Sequence, residues 1–474
     1  MTKTELDRIV TVPEGGGGPL DRYFMISARG STVRTEIVAG VTTWLTMAYI
    51  LFLNPQILGL VTDNEGTTLA FPQVLTVTAL AAGVMTLAMG LVGRYPFAIA
   101  AGLGLNGFVA FTLVGALGLT WPQAMGVIVI EGIVISVLVL TNVRQLIMDA
   151  IPMDLKRAIA IGIGLFLAII GFETGGVVIQ GEATPVTIVP DLTTLRMATF
   201  IVGLVLAAGL VARRIRGGLL VAILLTTGFA IALNEIWADG TIWEAIGPGV
   251  GRWPSDVVSN PDFALVGNFD FDVFSVLSIS TALVAILSVM MADFFDTMGT
   301  AVGLGEEAGL LDDDGRLPGI KRVLLVDGLA AAAGGAVSAS SNTTFIESGS
   351  GIADGGRTGL ASVVTGVLFL LCLFISPLAG VVPPEATAPI LVIVGFMMMK
   401  GVGEIDWRDA GIGIPAFLTM TLMPFTYNIA HGIAAGFLSY TVIRVIQGRA
   451  REVHWLLYAV DVLFVVYFVR GLLA

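Results

Sequence analysis

The sequence predicts an all-α polytopic membrane protein of about fourteen transmembrane helices, built as seven plus seven inverted repeats. Three observations carry that reading. The 474 residues are 56% hydrophobic and 13% charged, with a mean hydropathy of +0.92, far too apolar for a soluble chain and rich in runs of bilayer-crossing length. Arg and Lys fall on alternate connections, as they do in proteins whose basic loops face the cytoplasm. Finally, two segments in corresponding positions of the two halves are interrupted by glycine, the pattern of transporters with paired broken helices. A transmembrane β-barrel would instead alternate in strands of about ten residues, and such strands are absent. The 59 glycines fit helices packed closely through small residues.

The chain opens with a polar tail, residues 1–31, whose Gly15 to Gly18 run reads as a linker. It does not read as a cleavable signal, so insertion is expected to rely on the first spanning helix. Arg22, Arg29 and Arg34 precede the apolar run Ile37 to Leu53 and place the N-terminus inside. Further spans are expected near 71–91, 97–117, 122–142, 152–173, 193–213 and 217–236. Their basic flanks Arg94, then Arg144 with Lys156 and Arg157, then Arg213, Arg214 and Arg216 all fall on one side. The first repeat is thus 32–236. Residues 237–271, with Trp243, Trp253, Pro254 and Pro261 but a single basic residue, Arg252, read as an extracellular connection.

The second repeat, 272–447, is expected to span at about Val273 to Thr300, 322–337, a half-helix at 342–356, then 358–380, 386–402, 411–426 and 429–447. Arg316, Lys321, Arg322, Lys400, Arg408, Arg444, Arg449 and Arg451 again fall inside. Residues 448–474 contain an apolar run with Asp461 and Arg470, read as an interfacial or extra helix. The net charge of -12 comes mostly from loop acids such as Glu306, Glu307 and Asp312 to Asp314. With no basic stripe, nucleic acid is not a partner. The single cysteine, Cys372, lies in an apolar run and reads as packing.

The third span of each half carries the interruption: YPFAIAAGLGLNGF in the first and SNTTFIESGSGIADGG in the second. A carboxylate near the bilayer centre costs roughly 2.5 to 3.5 kcal/mol even on forgiving scales, so Glu347 needs a reason to be there. Non-helical backbone at that depth survives only where it is enclosed or lines a wet cavity. Asn106 holds the matching place in the first half. Its amide offers donors and an acceptor, and a carboxylate accepts, so together they suit a planar heterocycle; a helix-end cap is the alternative for Asn106. In MMADFFDTMGT, Asp293 and Asp296 lie three apart and share a helix face. Either they cap neighbouring half-helices or at least one faces a hydrated site and exchanges a proton.

Glu131 must face protein, with nothing in its surroundings to mark a site. Asp327 reads as a helix-dipole partner, Arg357 as pairing with Asp354 or with half-helix carbonyls, and Met397 to Met399 as packing. His431 and His454 lack metal-ligand spacing, so neither a metal nor a cofactor is expected.

VRTEIVAGVTTWLTMAYILFLNP, GLGLNGF, ADFFDTMGT, FIES and GGRTGLASVV together resemble the AzgA-like purine permeases, a branch of the nucleobase:cation symporter-2 (nucleobase-ascorbate transporter) family, from about Arg29 to Tyr440. The resemblance implies a core domain of spans one to four and eight to eleven and a gate domain of the rest. It implies import of adenine, guanine or hypoxanthine, driven by H+, through the cell membrane, with a homodimer as a compatible assembly. Asn106, Asp293 and Glu347 match substrate-binding positions; Asp296, Thr344 and Ser348 read as proton-coupling or supporting groups. An anion transporter of the related sulfate or bicarbonate type would share the architecture, but the acids argue against it. An intramembrane aspartyl hydrolase needs two acids facing one water, and acids three apart on one helix seldom converge so. The expectation is a transporter, not an enzyme.

Overall fold

A computed structural model of the chain describes residues 18–473 except 142–149, 182–183, 238–240, 247–248 and 313–316. Most of the N-terminal tail, with Gly15 to Gly17, and Arg144, Asp313, Asp314 and Arg316 lie outside the described residues. Helix α1 (Val33–Leu58) is two pieces meeting at Ala48 and Tyr49. It is followed by α2 (Phe71–Gly93), strand β1 (Ile99–Ala101), α3 (Leu103–Ala116), α4 (Trp121–Thr141) and α5 (Met153–Thr174). A small hairpin, β2 (Val178–Ile179) with β3 (Thr187–Ile188), leads to α6 (Leu195–Ala212) and α7 (Gly218–Trp237).

The second half contains α8 (Ile279–Glu307), α9 (Ile320–Ala336), β4 (Asn342–Thr344), α10 (Ser348–Ala353) and α11 (Gly359–Phe374). It closes with α12 (Pro384–Glu404), α13 (Ala410–Thr426) and α14 (Ile429–Ile446), and α15 (Trp455–Leu473) follows. The fourteen segments read from the sequence each contain a helix, but they are not fourteen full spans. Among the described residues eight helices are long and apolar enough to cross a bilayer, accompanied by five shorter apolar ones. The third and tenth segments trade part of their helix for a strand, and α10 is left with 6 residues. Within the terminal segment 448–474, α15 packs on α8 and α14.

The packing repeats with a period of seven helices. α4 lies on α9 as α11 lies on α2; α1 lies on α11 as α8 lies on α4; α5 lies on α13 as α12 lies on α6; α6 pairs with α7 as α13 pairs with α14. Local signals repeat too. Thr32 and Ser278, at the starts of α1 and α8, each accept a backbone N–H into their hydroxyl, and at α6 and α13 the Thr194 hydroxyl and the Asp409 carboxylate do the same. The contacts divide the helices into two bundles, α1–α4 with α8–α11 and α5–α7 with α12–α14, joined more thinly through α3 and α8 against α5 and α14 and through α1 against α7 and α12.

Glycine sets the closest crossings. A Cβ on Gly164 would stand 2.8 Å from the Gly395 carbonyl oxygen, and one on Gly395 would stand 2.4 Å from that of Gly164, so α5 and α12 touch backbone to backbone. Gly90 and Gly359 do the same for α2 and α11. Without a hydrophobic drive between helices in lipid, such small-residue contacts are what dispersion requires.

Candidate functional site

The two broken segments meet at their strands. β1 and β4 pair antiparallel, Ile99 opposite Thr344 and Ala101 opposite Asn342. The ladder is extended by Phe345 N–H to the Ala98 carbonyl (2.9 Å) and Gly102 N–H to the Ser341 carbonyl (3.0 Å). Backbone groups that a continuous helix would satisfy internally are satisfied here by the partner repeat, which allows non-helical chain at membrane depth. The turn into β4 is forced: Ser338 (φ 60) and Ser340 (φ 72) both occupy the left-handed region, a cost of order 1–3 kcal/mol each.

A cavity of about 90 Å³ lies where the short helices α3 and α10 begin. α1 supplies Tyr49, α3 supplies Leu103 and Gly104, α8 supplies Asp296 and Thr300, and the end of β4 with the turn into α10 supplies Thr344, Phe345, Ile346 and Glu347. Val394 and Met398 of α12, from the other bundle, close it. A pocket of about 30 Å³ adjoins it at Gly104, Asp296 and Met398 and reaches Ile159, Ala160 and Ile163 of α5. The site therefore sits on the seam between the bundles. Its size suits one small solute.

The polar groups are fixed from behind. Tyr49 donates its hydroxyl to Oε1 of Glu347. Oε2 of Glu347 can then accept a hydrogen bond from a ligand N–H. Thr344 donates its backbone N–H (2.9 Å) and its hydroxyl (2.8 Å) to Oδ1 of Asp327, while Oδ2 of Asp327 accepts from Thr297 (2.7 Å). Ser348 ties the joint between β4 and α10, accepting from Ala98 N–H (3.0 Å) and donating to the Phe345 carbonyl (2.7 Å). At the far end of α10, Asp354 takes the Thr42 hydroxyl (2.7 Å) and the Arg216 guanidinium. Arg357 donates to the Ile352 and Gly356 carbonyls.

Of the residues singled out in the sequence, Glu347, Asp296 and Thr344 come together on the cavity wall. Asn106 and Asp293 are buried behind it, at 0% and 1% exposure, and Ser348 holds the backbone joint. Neither amide atom of Asn106 has a hydrogen-bond partner, nor has either of Asn342 on β4. Buried amides left unbonded are uncommon enough to need an explanation. Two residues that the sequence did not place emerge as part of the site or its support, and a third lies outside the cavity. Tyr49 is the hydroxyl holding Glu347. Asp327, read as a dipole partner, instead anchors β4. Glu131 lies beside Asp293. Tyr49 was visible only as an aromatic inside an apolar run, with no local signal to set it apart.

The chain matches the model of the Permease family (Xan_ur_permease) over residues 34–435. It is 38% identical over 448 residues to the adenine permease AdeQ of Escherichia coli K12, covering 94% of this chain and 95% of AdeQ. It is also 38% identical over 455 residues to the guanine/hypoxanthine permease PbuG of Bacillus subtilis 168, covering 94% of this chain and 99% of PbuG. Among solved structures it superposes on the transmembrane domain of the cyanobacterial bicarbonate transporter BicA with a TM-score of 0.60, at 14% identity, over 85% of this chain and 97% of that domain. That likeness is one of fold. A multi-pass helical membrane architecture, paired broken segments meeting over a small polar cavity, and a family match running from α1 into α14 make this chain a member of the Permease family.

Proposed function

We propose that the protein imports purine nucleobases, adenine, guanine or hypoxanthine, across the cell membrane in symport with protons, its N-terminus in the cytoplasm. The observation that carries this is the pair of carboxylates, Glu347 and Asp296, facing one cavity at the crossing of the two half-helices. A purine presents ring and exocyclic N–H donors on its edge and apolar faces. Glu347 and Asp296 offer acceptors, as does the Thr344 hydroxyl oxygen, whose proton goes to Asp327, and Leu103, Phe345, Val394 and Met398 offer apolar walls. Adenine and guanine/hypoxanthine permeases among the relatives support the same substrate class. Asn106 and Asp293 stand behind the wall as supporting groups, Asn106 with an unspent amide. An anion such as bicarbonate would meet two carboxylates and is disfavoured there.

Transport follows from movement of one bundle against the other, which opens the seam cavity first to one side and then to the other. The assay is uptake of labelled adenine, guanine, hypoxanthine, xanthine and uracil into cells lacking their own purine carriers, with and without an uncoupler. Uncoupler-sensitive accumulation of at least one purine is expected. Correctly inserted protein that accumulates none overturns the reading.

A further inference from the structure

Glu131, on α4, is fully buried, and its carboxyl lies beside the Asp293 carboxyl of α8 and the Ser341 hydroxyl just before β4. The third acid facing it is Asp327 of α9, already engaged by Thr297 and Thr344. Elsewhere along α4, Lys321 of α9 binds the Leu140 carbonyl at one end, and the Asp270 carbonyl meets Gly126 near the other. α4 has no room to draw back: a Cβ on Gly132 would stand 2.1 Å from the Ala332 amide nitrogen of α9. Glu131 and Asp293 are 0% and 1% exposed on helices packed against each other, and two neighbouring carboxyls away from water do not both ionise, so the pair in this arrangement holds one proton.

Glu131 and Asp293 do not line the cavity, yet each is one step from it. Asp293 lies one helical turn from cavity-lining Asp296. Ser341 leads through β4 to Thr344, on the cavity wall.

We propose that Glu131 and Asp293 form the coupling-ion site, a proton-loading pair distinct from the purine cavity. This rests on the proton-symport reading above. In each cycle, movement of the bundles admits water to the pair; the carboxyl O–H bond breaks with its electrons left on the carboxylate, the proton passes to that water on the cytoplasmic side, and a proton from outside reloads the pair.

The test uses purified full-length protein in proteoliposomes, with labelled adenine and hypoxanthine as probes, and infrared spectra of the substrate-free protein. Wild type should show the carbonyl stretch of a buried protonated carboxylic acid, shifted in D2O, and Glu131→Gln should remove it. Glu131→Gln should still exchange purine, with a flattened pH profile, while accumulation driven by a pH gradient falls at least tenfold; Glu131→Asp should restore part of it. Gradient-driven accumulation by Glu131→Gln equal to wild type overturns the proposal, as does sodium-driven accumulation by wild type at equal pH. Should wild type exchange no purine, the substrate reading fails, while the infrared band and its loss still judge the pair. If Glu131→Gln does not insert, Asp293→Asn judged on the same band decides.

Discussion

Replacing Glu347 by Gln isolates one atom of the proposed site. The Gln amide oxygen can still accept the Tyr49 hydroxyl, so the packing of α1 against the turn into α10 is kept. What changes is the second oxygen, which becomes an N–H donor turned toward the cavity. A purine N–H that met a carboxylate now meets another donor. Hydrogen bonds to charged groups contribute about 1.5–3 kcal/mol net, and each 1.4 kcal/mol is tenfold in affinity. The dissociation constant for the transported purine should therefore rise about 10- to 150-fold. Equilibrium binding of labelled purine to purified protein reads this directly, and the KM of uptake should follow. Tyr49→Phe is the companion: it leaves the charge but removes the hydroxyl that orients it, and affinity should fall about tenfold. Because the two act through one contact, the double variant should lose less than the sum of the singles. A change below threefold for Glu347→Gln in inserted, folded protein, in both binding and KM, would refute the placement of the carboxylate in the purine site.

Three further outcomes test the scaffold. Gly359→Ala places a Cβ 2.0 Å from the Gly90 carbonyl oxygen; overpacking of this kind costs about 1–3 kcal/mol, so detergent-solubilised protein should melt several degrees lower, and an unchanged Tm contradicts the α2–α11 contact. Trp243→Phe removes the indole N–H that donates to Oε2 of buried Glu385 (2.8 Å), leaving that carboxylate to Arg196; a destabilisation of about 1–3 kcal/mol is expected, and Glu385→Gln should make the Trp243 substitution milder. At the start of α13 the Gly411 amide, and after it Arg444 and Arg449, hold the Asp409 carboxyl below the usual carboxylate range. The stabilisation this gives is present above the unfolded pKa of about 3.9 and is lost as pH falls through the lower folded value. Asp409→Asn should therefore lower Tm at pH 6 and converge with wild type in acid, and parallel melting curves at both pH values contradict the linkage.

Much of this architecture was legible because bilayer physics writes it into composition. Apolar runs of about 20 residues and one-sided Arg and Lys reveal α1, α2, α4 to α7, α12 and α14 with little ambiguity. The broken segments were also legible, since Gly102 to Gly107 and Ser348 to Gly351 are too glycine-rich for a plain span. Their exact form was not: a strand of three residues is too short to show a period of two and exists only because the other repeat supplies its partner. The site divided along the same line. Glu347 and Asp296 announced themselves as charges at apolar depth, but which acid of Asp293 and Asp296 reaches the cavity depends on the rotation of α8 about its axis. Three residues separate them by about 300°, close enough to share a face and far enough to meet different neighbours. Glu131 was conspicuous as a buried acid and silent about its partner, because the contact that gives it meaning spans 162 positions, from α4 to α8.

The repeats are alike in packing and unlike in chemistry, and that difference bears on how transport can proceed. The first half presents Tyr49, Gly102, Leu103 and Gly104 to the cavity, the second presents Thr344 and Glu347, and α8 adds Asp296. The acids Glu131, Asp293, Asp296, Asp327 and Glu347 all belong to the bundle of α1–α4 with α8–α11. Among the described residues, the facing bundle lines the cavities with Ile159, Ala160, Ile163, Val394 and Met398. An apolar wall can slide past a bound solute without breaking a hydrogen bond, whereas a wall carrying half the polar contacts would have to desolvate them at each stroke. Polar ties between the bundles lie instead toward the ends of α1. Gln56 meets Thr387 of α12, and Asp354, held by Thr42, meets Arg216 of the α6–α7 turn. From Thr42 to Gln56 is 14 residues, about 21 Å of helix at 1.5 Å per residue. One tie can therefore open while the other stays closed, and a carrier that must never open both ends at once needs this separation.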